Sequence, residues 1–239
     1  MKRSLKAVSA TVVATLVLLL TGIAWYGVSS PPAQPVPLPA HLVDATSMEG
    51  ERLLAGASAK TDHGQLLPYF VVQSRRAFCG VATASMVVNA ALHPQPPLRQ
   101  SSFFGTDISG LQTNVAVTLR GMTLEQLAQL LALRGLQVQT VHATKSSVED
   151  FRRVAAATLS EPQQLLVVNY DRRRLGQEGV GHISPVGAYH AESDRLLIMD
   201  VAAYKYPQTW VKLPDLWSAM NTIDTDSGQT RGFLLIRAD

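Results

Sequence analysis

Cysteine is almost absent from this chain: Cys79 is the single one among 239 residues. An intrachain disulfide, a CxxC redox pair and a thiolate zinc cluster are therefore excluded. What remains for Cys79 is an inert packed thiol, a reactive thiol or an intermolecular cross-link. Charge is also sparse, at 16%, and with 46% hydrophobic residues the chain is neither disordered nor a charged tail. Aromatics reach only 6%, and no repeat at solenoid periods is visible. A basic surplus is missing as well, despite a pI near 9.1. Lys2, Arg3 and Lys6 carry the whole formal charge of +3, and from residue 7 onward 18 basic residues meet 18 acidic ones. A nucleic-acid surface needs excess Lys and Arg on the folded domain, so no nucleic-acid partner is expected.

What the chain does have is a long uncharged run near its start. Residues 1–6 are basic, and residues 7–28 carry no charge over 22 positions, long enough to cross a hydrocarbon core of ~30 Å as a helix. Trp25 and Tyr26 suit an interfacial anchor, and positive charge before the run keeps the N-terminus in the cytoplasm. The run reads as an uncleaved signal anchor rather than a cleaved signal peptide. A catalytic domain outside the cytoplasm, tethered to the inner membrane, is the expected placement. Residues 29–44 begin with SSPPAQPVPLP, five prolines and no charge, and read as a semi-rigid linker. Residues 45–239 then have the size of one domain.

Within that domain, residues 79–92 are apolar nearly all round, as in a central buried helix. Residues 123–134 open with the Thr123–Gln126 capping box and end at Gly135, and residues 147–159 and 214–221 also read as helices. Strands are predicted at 136–141, 165–170, 183–189, 195–201 and 232–236, with a hairpin about the polar turn at 192–194. Helices first and strands later predict an α+β domain in which the helix of Cys79 packs on an antiparallel sheet.

Cys79 opens its helix, where first-turn N–H groups and the helix dipole favour a thiolate. Packed cysteines are common, however. Gln73, six residues earlier, could donate to an oxyanion beside the Cys79 N–H. His182 lies in Gly-Val-Gly-His-Ile-Ser-Pro, where glycines allow close approach. Asp200 ends the partner strand of the hairpin, so pairing brings it towards His182. There a carboxylate would hold the imidazole tautomer and favour a thiolate–imidazolium pair.

The segment Gln73-Ser-Arg-Arg-Ala-Phe-Cys79-Gly-Val-Ala resembles the nucleophile segment of the phytochelatin synthase family, within the papain-like cysteine peptidase plan. So do Val168-Asn-Tyr-Asp-Arg172, Leu175-Gly-Gln-Glu-Gly-Val-Gly181-His182-Ile-Ser-Pro185, Asp194-Arg-Leu-Leu-Ile-Met-Asp200-Val201 and Thr230-Arg231-Gly232-Phe233. The resemblance covers about residues 65 to 237. It implies a papain-like fold and acyl transfer on glutathione. Cys79 would release glycine and hold γ-glutamylcysteine as a thioester, which water or a second glutathione then takes. It implies Arg231 as the γ-glutamyl contact, with Asn169, Arg172 and Gly181 as further substrate-side positions. No cofactor is required for the covalent step and no protein metal site is expected. Cadmium or zinc would arrive as a glutathione thiolate complex. Eukaryotic members carry a second, cysteine-rich domain, and short bacterial relatives are thought of as hydrolases more than as synthases. Two other readings stand beside this one: a papain-like peptidase or amidase acting on other peptides, and a non-catalytic, membrane-tethered thiol- or metal-binding module.

Overall fold

The structure, a computed structural model, describes residues 2–105 and 113–238, apart from the side chains of residues 2–11, 14 and 23. The helices are α1 (Lys2–Val28), α2 (Met48–Ala55), α3 (Thr61–Leu66), α4 (Cys79–Leu92), α5 (Asn114–Arg120), α6 (Leu124–Leu133), α7 (Val148–Thr158) and α8 (Leu213–Met220). The strands are β1 (Val43–Asp44), β2 (Gln137–His142), β3 (Gln164–Asp171), β4 (Gly181–His190), β5 (Arg195–Ile198), β6 (Thr209–Lys212) and β7 (Gly232–Arg237). All seven strands form one antiparallel sheet in the order β1-β6-β5-β4-β3-β7-β2. The α+β arrangement expected from the sequence is the one observed.

Helices cover both faces of this sheet, which explains why β3 is apolar without alternation. Leu165 and Val167 join the core beneath α4 and α6, among Val81, Leu127 and Leu131. Leu166, Val168 and Tyr170 join the opposite core, among Phe151 of α7 and Leu216 of α8. A strand buried on both sides loses the period-two signal. The same logic makes α4 apolar all round, since every residue from Gly80 to Ala90 is buried. Local chemistry sets the ends of the other helices. Thr123 and Gln126 close a reciprocal capping box on α6, and the Ser147 side chain accepts from the Asp150 N–H to start α7.

Register gathers the chemistry at one end of three adjacent strands. Asn169 pairs with Ile183, Tyr170 with His182 and Asp171 with Gly181 across β3–β4. On the other side of β3, Asn169 faces Gly232, the residue after Arg231. A Cβ on Gly232 would lie 2.0 Å from the Val141 carbonyl, so only glycine lets the chain enter β7 there. The strand predicted over 195–201 ends earlier, at Ile198. The β4–β5 ladder shifts register between Val186 and Ala188, and beyond Ile198 the Met199 N–H still donates to the Pro185 carbonyl of β4 at 2.9 Å, just before Asp200. Strands β1 and β6 and helices α3 and α5 were not predicted.

The proline-rich segment, expected as a spacer, lies against the domain. Its Gln34 and Val36 amides donate to the carbonyls of Tyr204 and Lys205 at 2.9 and 3.0 Å, and Leu38 packs against the core beside α8. Residues 7–28, expected as a membrane anchor, lie within α1, although the side chains at 7–11, 14 and 23 fall outside the described residues. Among the described residues no helix is long and apolar enough to cross a membrane.

Candidate active site

Cys79 is the first residue of α4. The preceding N-cap, Phe78, offers no side-chain acceptor, so the unpaired first-turn N–H groups remain available to an anion. Thr83 Oγ1, one turn further on, donates to the Ile183 carbonyl at 3.2 Å. This ties the nucleophile helix to the strand residue next to His182. Burial alone would push the Cys79 thiol up. A hydrogen bond from His182, the charge of that ring and backbone N–H groups outweigh burial, and the thiol sits below its ordinary value.

His182 is buried beside the ring of Tyr170, edge to face at 5.7 Å between centroids. Its Nε2 lies 2.9 Å from Asp200 Oδ1 and 2.9 Å from Ser184 Oγ, which leaves Nδ1 for Cys79. Burial and the Arg172 charge oppose the imidazolium, but Asp200 and the Cys79 contact prevail and hold the ring above its usual value. Asp200 is buried too, which would raise its carboxyl. The Arg172 guanidinium and the imidazolium drive it far below the carboxylate range. The structure thus brings Cys79, His182 and Asp200 together with the thiol lowered and the imidazole raised, both shifts in the direction that favours a thiolate–imidazolium pair.

Two expectations are corrected. Arg172 is not on the substrate side: it is buried, donates Nη2 to Asp200 at 2.7 Å and Nη1 to Gln177 Oε1 at 2.8 Å, and does not line the cleft. It sits behind the carboxylate as its counter-charge. Gln73 does not point an N–H towards an oxyanion either. Its carboxamide nitrogen donates to the carbonyls of Arg75 and Arg76 at 2.9 and 2.7 Å. Its Oε1 is buried without a partner among the described residues. The Gln73 backbone N–H, meanwhile, donates to the Val201 carbonyl, so the nucleophile loop is fastened to the Asp200 loop.

Beside the triad a cleft of about 470 Å³ opens, lined by Cys79 and His182 and by Asn169, Gly181 and Arg231. Three of the four substrate-side residues expected from the sequence therefore meet at one cleft. A Cβ on Gly181 would stand 2.9 Å from Arg231 Nη2, so the missing side chain is what leaves room for the guanidinium. Arg231 Nη1 donates to Thr222 Oγ1 and the Ile223 carbonyl, while its buried Nε has no partner among the described residues. Among the described residues no group of three or more His, Cys, Asp or Glu could hold a metal ion.

Residues 33–233 match the protein family described as phytochelatin synthase. The chain belongs to the phytochelatin synthase family. The family match starts earlier than the sequence motifs do, at residue 33 rather than about 65, so it takes in much of the segment read as a linker. That agrees with the docking of Gln34 and Val36. Glutathione gamma-glutamylcysteinyltransferase 1 of Triticum aestivum is 39% identical over 200 residues, 81% of this chain and 40% of that protein. Glutathione gamma-glutamylcysteinyltransferase 3 of Lotus japonicus is 37% identical over 202 residues, 81% and 42%. The Schizosaccharomyces pombe enzyme of that name is 32% identical over 174 residues, 72% and 42%. The chain spans about two-fifths of the length of the curated relatives it matches. The crystal structure of xylellain, a cysteine protease from Xylella fastidiosa, is similar at a TM-score of 0.44 and 9% identity, covering 89% of this chain and 97% of that one.

In this phytochelatin synthase family member the cleft also holds residues that sequence reasoning passed over. Arg76, Arg120 and Arg173 line it with Arg231, and Asp224 and Asp226 stand on the same wall segment as Ile223. Arg173 is paired with Asp171, Nη2 to Oδ2 at 2.7 Å. Asp224 Oδ1 lies 3.9 Å from Arg231 Nη2. The Asp-x-Asp spacing after Ile223 was the one readable signal. A lone arginine in a loop carries none.

Proposed function

We propose that this chain carries out thiol-dependent acyl transfer on glutathione. The observation that carries the reading is the lowered Cys79 thiol, held by His182 and Asp200, at the wall of an arginine-lined cleft. The Cys79 thiolate adds to the carbonyl carbon joining cysteine to glycine, and a C–S bond forms. First-turn N–H groups of α4 face the oxyanion. The His182 imidazolium gives its proton to the leaving nitrogen, the C–N bond breaks, glycine departs, and γ-glutamylcysteine remains as a thioester. His182, now neutral, takes a proton from water or from the amine of a second glutathione. The attacking oxygen or nitrogen then displaces the Cys79 thiolate, giving γ-glutamylcysteine or a two-repeat phytochelatin.

Glutathione is small, nearly devoid of apolar surface, and carries two carboxylates and one ammonium. The cleft volume suits a ligand of that size. Arginines supply charge-assisted donors for the carboxylates, and Asp224 beside Arg231 supplies an acceptor for the ammonium. A cadmium or zinc ion enters this reading as cargo on the glutathione thiol. Placement at the inner membrane with the domain outside the cytoplasm belongs to the same proposal. It rests on the uncharged run at 7–28 and on the exposed Leu18, Leu20 and Trp25 of α1. Carbonate extraction of expressing cells tests it, and release of the protein into the soluble fraction would refute the anchor.

The chemical reading is tested by incubating the purified chain with glutathione, with and without cadmium, and separating products by mass spectrometry. Glycine release with γ-glutamylcysteine or phytochelatin as co-product is expected. Cleavage of unrelated peptides without action on glutathione would overturn it in favour of a general peptidase.

A further inference from the structure

Arg76 lines the cleft three residues before Cys79, yet its guanidinium has no carboxylate partner among the described residues. It lies over the Tyr26 ring at 3.6 Å to the centroid, and Nη1 donates to the Tyr26 carbonyl at 2.6 Å and Ser29 Oγ at 3.4 Å. All of these are neutral groups. An arginine held by neutral acceptors still lacks a counter-charge, and a carboxylate offers one together with bidentate geometry. Two other cleft arginines are differently placed. Arg173 already holds Asp171. Arg231 stands across the cleft against Gly181 and Thr222.

The carbonyl of Arg76 is also one of the two acceptors that hold the Gln73 carboxamide. That bond is made by the backbone, so the Arg76 side chain can turn to a carboxylate without disturbing it. The neighbouring Arg75 side chain is fixed by Thr118 Oγ1 at 2.8 Å and by Asn114 of α5. Of these two guanidiniums, Arg76 is the one whose residue lines the cleft.

We propose that Arg76 is the receptor for the carboxylate on the departing, glycyl side of the substrate. Taking that carboxylate, its guanidinium leaves Tyr26. The inference rests on the glutathione reading above and adds to it a subsite. Substrate lacking that carboxylate loses this contact, so the loss falls on kcat/KM.

The test compares glutathione with its C-terminal glycinamide analogue in steady-state assays of glycine or glycinamide release. Wild-type protein should turn over the amide with kcat/KM about ten- to a hundredfold lower, the worth of one charge-assisted contact. In Arg76→Ala the acid-to-amide ratio should fall to near one. Arg76→Lys, which keeps the charge, should restore most of the ratio and covers the case in which the alanine variant does not fold. An unchanged ratio in Arg76→Ala, or a ratio that collapses in Arg120→Ala instead, overturns the proposal. Absence of wild-type turnover on glutathione itself would instead remove the functional reading on which the proposal stands.

Discussion

Replacing Arg172 by methionine separates two roles that sequence alone could not. A substrate contact would, when lost, raise KM. A buried counter-charge would, when lost, leave Asp200 alone in the interior beside His182. Arg172 and Asp200 are both nearly inaccessible, at 4% and 1% exposure, and the guanidinium makes two short bonds, to Asp200 and Gln177. Removing one member of such a pair costs about 3–5 kcal/mol, because the remaining buried charge loses its counter-charge. For a domain of this size about 1 kcal/mol shifts Tm by roughly 2–4 °C, so a fall of about 6–20 °C is expected. The pH dependence follows by linkage. Asp200 has a carboxyl depressed in the folded state, so its stabilisation is present above the unfolded value near 3.9 and is lost as pH falls through the folded one. Without Arg172 the folded value is less depressed, and acid unfolding should set in at a higher pH than in the wild type. Thermal melts from pH 3 to 7, together with kcat and KM on glutathione, make the test. A variant with wild-type Tm, unshifted acid unfolding and only a raised KM would refute the buried counter-charge and return Arg172 to the substrate.

Cys79→Ser and His182→Ala should each abolish glycine release, and the wild-type kcat/KM should be bell-shaped in pH, read in a stopped glycine assay. It rises as the lowered thiol ionises and falls as the raised imidazolium loses its proton, and a profile with a single limb would contradict the ion pair. Gln73→Ala should lower stability by about 1–3 kcal/mol, since two loop carbonyls lose their donor, read in thermal melts, and a kcat loss of ~10²–10³ with unchanged Tm would return Gln73 to the oxyanion. Asp62 is fully buried, accepts from the Leu166 N–H, and burial pushes its carboxyl up to about 8. The folded state therefore holds a proton that the unfolded state releases near 3.9, and stability should fall as pH rises towards 8 by up to about 1.4 kcal/mol per unit. Asp62→Asn should remove that slope in melts between pH 5 and 8, and an equal offset at every pH would show that Asp62 stays ionised.

The legible parts of this chain are those whose cause is local. The Thr123–Gln126 box and Ser147 fix where two helices start through bonds made three residues away, and those two helices were predicted to within two residues. The apolar run of α4 and the glycines around His182 were equally plain, since both reflect immediate neighbours. Strand β6 was missed because Thr209–Lys212 is short and owes its place to Leu197 and Leu196 across the sheet. Helix α5 was missed because seven residues with two exposed apolar side chains, Val115 and Leu119, show no buried stripe. The docking of the proline-rich segment was missed for a related reason. Proline content predicts extension but gives no hint of backbone partners at Tyr204 and Lys205, 170 and 169 residues away in sequence.

The arginines show most sharply where sequence reasoning stops. Arg172, Arg173 and Arg174 follow one another at the end of β3, and nothing in their order distinguishes them. The distinction is made by Asp171, whose Oδ1 accepts from the Arg173 N–H at 3.0 Å and turns the chain into a short 3₁₀ segment. That turn sends Arg172 inward, across the rings of Tyr170 and Tyr206, to Asp200. It leaves Arg173 at the cleft, tied to Asp171. One residue of phase therefore decides which guanidinium sets the charge of the triad and which lines the cleft. The register of β3 on β4 decides that phase, since it places Asp171 opposite Gly181 and His182 opposite Tyr170. Moving the turn by one residue would withdraw Arg172 from Asp200 and leave the imidazolium beside a carboxylate without its counter-charge. The chemistry of Cys79 depends on that pairing as directly as on the identity of its own side chain.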